Sequence, residues 1–204
     1  WSADPAVQHA IRRRLGWLTI VRTMAAQTDS LRQFAQKIRS EGMTHAVLLG
    51  MGGSGLFTEV CRHTLQVRTP SLDVTVLDTT DPTAIRRQQQ RCPLERLLMI
   101  VSSKSGSTSE VSALSKYFYH ALTSAGVDAG SRCVVITDAG TSLETQAKAW
   151  KCQHLFIHGP GTGAEVGGRF SALTYFGLVP AALMGAQTAT LLSRADAMTK
   201  RCGA

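Results

Sequence analysis

A chain of 204 residues can bury roughly 70% of its unfolded surface, so it can hold a core without disulfide or metal staples, as one large domain or two small ones. With 44% hydrophobic residues in apolar runs of only five or six, it lacks the pattern of a membrane-spanning helix, and no membrane partner is expected. The net charge of +8 fits nucleic acid, an anionic small molecule or neither, but the basic residues are dispersed and lack interleaved aromatics, so no nucleic-acid partner is expected.

Trp1-Ser2-Ala3-Asp4-Pro5 carries neither a basic leader nor an apolar run, so no signal peptide is expected. A first residue other than methionine fits an excised segment or a processed chain. Residues 1–42 read as a segment of two helices. Pro5 suits a first helical turn with Asp4 as its cap, and Arg12-Arg13-Arg14 falls on a solvated face. The second helix covers about 28–39, with Leu31, Phe34 and Ile38 on one stripe and Gly42 past its end.

Residues 43–204 change pattern. Short apolar runs at 46–49, 74–77, 97–101, 133–137 and 155–157 alternate with helical stretches. Asp81-Pro82 caps one helix, and Thr141-Ser142-Leu143-Glu144 has the form of a capping box. A final helix covers about 188–200. Strands separated by helices predict an α/β fold, a doubly wound five-stranded parallel sheet in three α/β/α layers behind N-terminal helices. Ligands of such folds sit beyond the carboxyl ends of the strands. Three loops are expected there: 50–55, 102–110 and 158–171. Pro160-Gly161-Thr162-Gly163 marks a mobile or sharply turned stretch in the last.

The most informative loop is Ser102-Ser103-Lys104-Ser105-Gly106-Ser107-Thr108-Ser109-Glu110, between a buried-strand pattern and a helix. A helix N-terminus offers unpaired N–H groups and the positive end of the dipole. Hydroxyls, a lysine and a glycine at that point suit a phosphate monoester, with Gly106 expected to let the backbone approach the anion. A single capping serine would serve an ordinary loop. Gly50-Met51-Gly52-Gly53-Ser54-Gly55 satisfies the dinucleotide pattern G-x-G-x-x-G between strand and helix, and Asp78 lies where a ribose-binding acid belongs, so a nicotinamide dehydrogenase is a rival reading. Against it, the hydroxyl-rich second loop has no task in a dinucleotide site. Gly167-Gly168-Arg169-Phe170-Ser171 is the third candidate. Its paired glycines predict strained or closely approached backbone, and its arginine can hold an oxyanion.

The five cysteines (Cys61, Cys92, Cys133, Cys152, Cys202) are odd in number and widely spaced, without Cys-x-x-Cys. That pattern favours thiols in a reducing cytoplasm and argues against zinc. Cys133 opens a strand and is expected in the core. The histidines show no ligand spacing, and His158, at a strand's end, reads as a polar loop residue. No metal is expected.

Together the three loops resemble those of the glucose-6-phosphate isomerase family, which is built on sugar isomerase (SIS) domains. Gly52-Gly53-Ser54 resembles its glycine-glycine-serine loop, Ser103–Glu110 its phosphate loop, and Val166-Gly167-Gly168-Arg169-Phe170-Ser171 its most specific signature. Asp78-Thr79-Thr80-Asp81-Pro82 and the stretch from Tyr175 to Ala182 are more similar to the isomerase part of bacterial transaldolase–isomerase fusions. The resemblance implies that Ser103, Lys104, Ser105, Ser107 and Thr108 bind the phosphate of glucose 6-phosphate or fructose 6-phosphate. It implies that Gly53 and Ser54 face the sugar and that Arg169 is catalytic, steadying a cis-enediolate. Ser105 replaces the usual threonine and keeps its hydroxyl, whereas Val111 replaces a threonine and loses a donor. The family's catalytic glutamate, and a histidine and lysine for ring opening, come from beyond this segment, so residues 43–204 correspond to the first of two SIS domains. Glu110 reads as a first-turn helix acid and Glu165 as a weak alternative base. No cofactor is implied, because proton transfer between adjacent carbons needs none. The runner-up is a sugar-phosphate-sensing SIS domain of a regulator, which would explain the phosphate loop but not the arginine.

Overall fold

The computed structural model describes residues 2–65, 70–159 and 165–203, without the side chains of Arg12 and Arg13. Five parallel strands form one sheet: β1 (His45–Leu49), β2 (Asp73–Leu77), β3 (Leu97–Ser102), β4 (Cys133–Asp138) and β5 (His154–His158), in the order β2-β1-β3-β4-β5. Each contains the run expected from the sequence and extends it by one or two residues.

Alternate residues of the strands enter two cores. Ala46, Leu48, Val74, Leu98, Ile100, Val134 and Ile136 join one, with Leu31, Phe34 and Ile38 of α3 (Thr28–Ser40), Cys61 of α4 (Gly53–Thr64) and the wholly buried α8 (Tyr175–Leu183). Val47, Leu49, Met99, Val101, Cys133 and Val135 join the other, under α5 (Pro82–Gln89), α6 (Ser109–Ser124) and α7 (Ser142–Ala149). β3 is buried along all six residues, which is why its sequence is continuously apolar before Ser102.

Residues 2–40 form three α-helices rather than two: α1 (Pro5–Arg14), α2 (Ile20–Ala25) and α3, with a 3-10 turn at Gly16–Leu18 between the first two. Asp4 caps α1 as expected, its Oδ1 accepting from Ala6 N at 2.8 Å. Ile20, Val21 and Met24 of α2 enter the same core as α3, and α9 (Thr188–Arg201) packs against α2. Cap chemistry was legible: Asp81 Oδ1 accepts from Ala84 N at 2.9 Å, and Thr141 Oγ1 accepts from Glu144 N at 3.2 Å. The reciprocal half of the box is shifted by one residue, Glu144 accepting from the Gly140 amide at 2.8 Å. Among the described residues no helix is long and apolar enough to cross a membrane.

Candidate functional site

The strand order reverses between β1 and β3, so the chain leaves their carboxyl ends toward opposite sides of the sheet and opens a crevice. The first two candidate loops leave from these strands. Ser102, the last residue of β3, donates its hydroxyl to the Ser54 carbonyl at 3.1 Å. Gly50 and Gly55 are crowded: a Cβ on Gly50 would lie 3.1 Å from the Ser102 carbonyl oxygen, and one on Gly55 would lie 2.9 Å from Val76. Gly52 turns the chain into α4 at φ +55°.

The third loop reaches the first through the backbone. A Cβ on Gly53 would lie 2.3 Å from the Gly168 carbonyl oxygen and 3.4 Å from Arg169 N. The paired glycines are not strained as expected: Gly167 has φ −62°, and a Cβ on Gly168 would meet nothing within 4 Å among the described residues. The close approach is real, but Gly53 supplies the space for it. Residues 168–173 form a 3-10 helix ahead of α8, with Ser171 Oγ donating to the Gly168 carbonyl at 2.7 Å. The N-terminal segment clasps this stretch. Trp17 stacks on Phe170 with ring centroids 5.3 Å apart, Gly16 N donates to the Glu165 carbonyl at 3.1 Å, and Leu15 bridges Val166. Arg169 stands exposed beside this anchored backbone. The turn expected at Pro160-Gly161-Thr162-Gly163 lies outside the described residues.

The hydroxyl-rich loop is ordered by its own side chains. Ser103, nearly fully buried, places its Oγ 3.2 Å from Thr108 Oγ1. Ser105 Oγ accepts from both the amide and the hydroxyl of Ser107, at 3.3 and 3.2 Å. Thr108 is the N-cap residue of α6, but its side chain makes no capping bond. The first-turn amides of a sixteen-residue helix therefore lack the side-chain cap that such ends ordinarily carry. Glu110 lies in that first turn, where its carboxylate accepts from Ser109 Oγ at 3.1 Å.

Gly106 and Lys104 of this loop each meet a protein partner from outside it. Gly106, at φ +66°, does make close contact, but with protein: a Cβ there would lie 2.5 Å from Thr141 Cβ. Lys104 is paired, its Nζ lying 2.5 Å from Asp138 Oδ2, both side chains being about three-quarters buried. Both contacts lead to a fourth loop, 138–142, after β4, which the sequence patterns mark only as a helix cap and not as part of the site. Asp138 N donates to the Lys104 carbonyl at 3.3 Å, Ser142 Oγ donates to the Gly106 carbonyl at 2.8 Å, and Thr137 and Thr141 hydroxyls pair at 2.8 Å. Only the pairing of β4 with β3 brings Asp138, Thr141 and Ser142 here.

The crevice can present backbone amides and hydroxyls to an anion on one side and an arginine on another. His158, expected as a polar loop residue, is the buried last residue of β5, its carbonyl accepting from Ala139 N at 3.0 Å. Asp78 is exposed just past β2. Among the described residues no three His, Cys, Asp or Glu side chains gather as metal ligands would.

Comparison with known proteins places these features in context. The family model described as phosphoglucose isomerase matches residues 14–202. The glucose-6-phosphate isomerase of Synechococcus sp. (strain JA-3-3Ab) is 32% identical over 184 residues, covering 84% of this chain and 34% of that protein. The crystal structure of a glucose-6-phosphate isomerase from Chlamydia trachomatis superposes with a TM-score of 0.76 at 25% identity, covering 89% of this chain and 34% of the other. A hypothetical protein from Thermus thermophilus superposes at 0.78 with 28% identity, over 91% and 43% of the two chains. The chain spans 29–44% of the length of the curated relatives compared.

Proposed function

Because this chain belongs to the phosphoglucose isomerase family, we propose that it supplies the hexose 6-phosphate-binding half of an enzyme interconverting glucose 6-phosphate and fructose 6-phosphate. One observation carries the reading: Thr108 turns its hydroxyl to Ser103 instead of capping α6. That arrangement suits a phosphate dianion seated on the helix N-terminus, taking hydroxyl donors from Ser103, Ser105, Ser107 and Thr108. Lys104 adds charge tempered by Asp138. Gly53 and Ser54 line the sugar side, and Arg169 is the catalytic cation.

The chemistry follows from those positions. Once the ring is open, a base removes the proton on C2 of the aldose, and charge develops on the O1–O2 enediolate. A guanidinium beside those oxygens lowers that barrier more than it stabilises the neutral sugar. Return of a proton to C1 gives the ketose, with no net change in oxidation state. The base must come within about 3 Å of the C2 proton. In this reading it belongs to a second sheet domain continuing the chain, an assignment supported by the share of each relative that the chain leaves uncovered. A covalent link to a transaldolase and a cytoplasmic setting belong to the same reading. The first is supported by the likeness of the 78–82 and 175–182 strings to such fusions, the second by the spacing of the five thiols.

Titration of the chain with fructose 6-phosphate tests the site. The amide signals of residues 103–110 are expected to shift, and unphosphorylated fructose to leave them in place. Unmoved signals there, with a response elsewhere, would overturn the assignment. Alone, the chain is expected to bind weakly and not turn over; near-normal rates in a coupled assay would contradict the missing base. NADH binding with fluorescence enhancement would revive the dehydrogenase reading.

A further inference from the structure

At the amino ends of β4 and β5, away from the crevice at the carboxyl ends, two cysteines face each other. Cys133 opens β4, and Cys152 lies two residues ahead of β5. Their sulfurs are 2.9 Å apart, less than 1 Å beyond the disulfide bond length of roughly 2.05 Å. We propose that Cys133 and Cys152 are a thiol-modification site, taking low-molecular-weight disulfides as oxidants and closing to a reversible disulfide.

The local backbone makes the pairing specific. β4 and β5 are in register from Val134–His154 onward, which fixes the two chain segments side by side. Cys152 also closes the end of α7: Lys151 takes a left-handed turn at φ +52°, and Cys152 N donates to the Ala147 carbonyl at 3.0 Å. Gln153 N then bonds the Gly130 carbonyl at 2.9 Å, just ahead of β4. Cys152 is thus anchored on both sides while the residue stays half-buried. Cys133 is fully buried in the core under α6 and α7, where only a neighbour can reach it. Exposure and proximity assign the roles, Cys152 as the attacking thiol and Cys133 as the resolving one. The Cys133 thiol facing it lowers Cys152 below the ordinary thiol value, while that same bond and burial raise Cys133.

The step balances with a disulfide oxidant. Cys152 thiolate attacks one sulfur of the oxidant and expels its other half as a thiolate. Cys133 then attacks Cys152 Sγ, loses its proton to solvent, and expels the second half. Two protein thiols are oxidised by two electrons and one small disulfide is reduced to two thiols. The bridge would tie β4 to the C-terminal end of α7, whose N-terminal Thr141 and Ser142 support Gly106.

The test uses the full chain carrying Cys202→Ser, which removes the exposed thiol. Under native conditions with oxidised glutathione, the expected product has lost two hydrogens, shows one non-reduced peptide joining Cys133 to Cys152, and reverts with dithiothreitol. It melts higher by roughly 5 °C and exchanges the amides of α7 more slowly. Because the pair is preassembled, bridging should be roughly tenfold or more faster than in denaturant. With Cys152→Ser added, no thiol should be lost while circular dichroism stays native. A stable glutathione adduct on Cys152 beside a free Cys133, bridging only in denaturant, or no loss of thiols in the native chain would overturn the proposal.

Discussion

The main chain at Gly53 lies against the main chain at Gly168, leaving no room for a side chain: a Cβ on Gly53 would sit 2.3 Å from the Gly168 carbonyl oxygen. This contact joins the start of α4 to the segment bearing Arg169. Gly53→Ala should force the two apart, at a cost of about 1–3 kcal/mol in urea unfolding, and weaken fructose 6-phosphate binding. Gly168→Ala is the matched control. Its Cβ would meet nothing within 4 Å among the described residues, so it should cost within about 0.5 kcal/mol. Equal effects from the two alanines would refute the contact.

Thr108 and Thr141 head adjacent helices and should respond oppositely. Thr141 caps α7, so Thr141→Ala should cost about 1 kcal/mol of stability or more. The Thr108 hydroxyl caps nothing and meets Ser103. Thr108→Ala should cost no more than about 1 kcal/mol in stability but weaken fructose 6-phosphate roughly tenfold. Thermal melts and calorimetric titration of both variants separate the roles.

Lys104 and Asp138 form a pair about three-quarters buried, and Asp138 Oδ1 is buried with no hydrogen-bond partner among the described residues. Removing the lysine strands a carboxylate. Lys104→Met should destabilise by about 1–2 kcal/mol, and adding Asp138→Asn should recover part of that. A double-mutant cycle in urea measures the coupling, and strictly additive values would mean the pair is not formed in solution.

His154 packs between Phe34 and Phe156, with ring centroids 4.8 and 4.5 Å away. Burial, and then the charge of Lys37, lower its pKa from the ordinary 6.5. Protonation is therefore harder in the folded chain than in the unfolded one. The stabilisation is complete above about pH 6.5 and is lost as pH falls through the lowered folded value. The urea midpoint should drop on acidification from pH 7.5 to 5.5, and His154→Phe should flatten that slope.

Much of the frame was legible in local patterns. Leu97–Val101 is apolar at every position because β3 is covered on both faces, and Asp81, Thr141 and Gly42 marked helix ends through chemistry confined to a few residues. The break at Gly16 was missed because the helix pattern continues across it, and the 3-10 turn there answers to Glu165, far along the chain. The contact of Gly106 with Thr141 is not legible in sequence, since nothing near Gly106 announces Thr141.

The amino-acid order by itself determined the alternation of five buried strands with helices, and the three loops rich in glycine, hydroxyl and arginine. Those features rest on hydrophobic periodicity and backbone preferences that act within one or two turns of chain. Only the tertiary structure decided that β4 lies beside β3, giving Lys104 to Asp138 and Gly106 to Thr141, that Gly53 abuts Gly168, and that Cys133 faces Cys152. Strand order is set by how whole layers bury their surfaces, a free energy summed over the entire chain, so no short string of residues encodes which distant side chains meet.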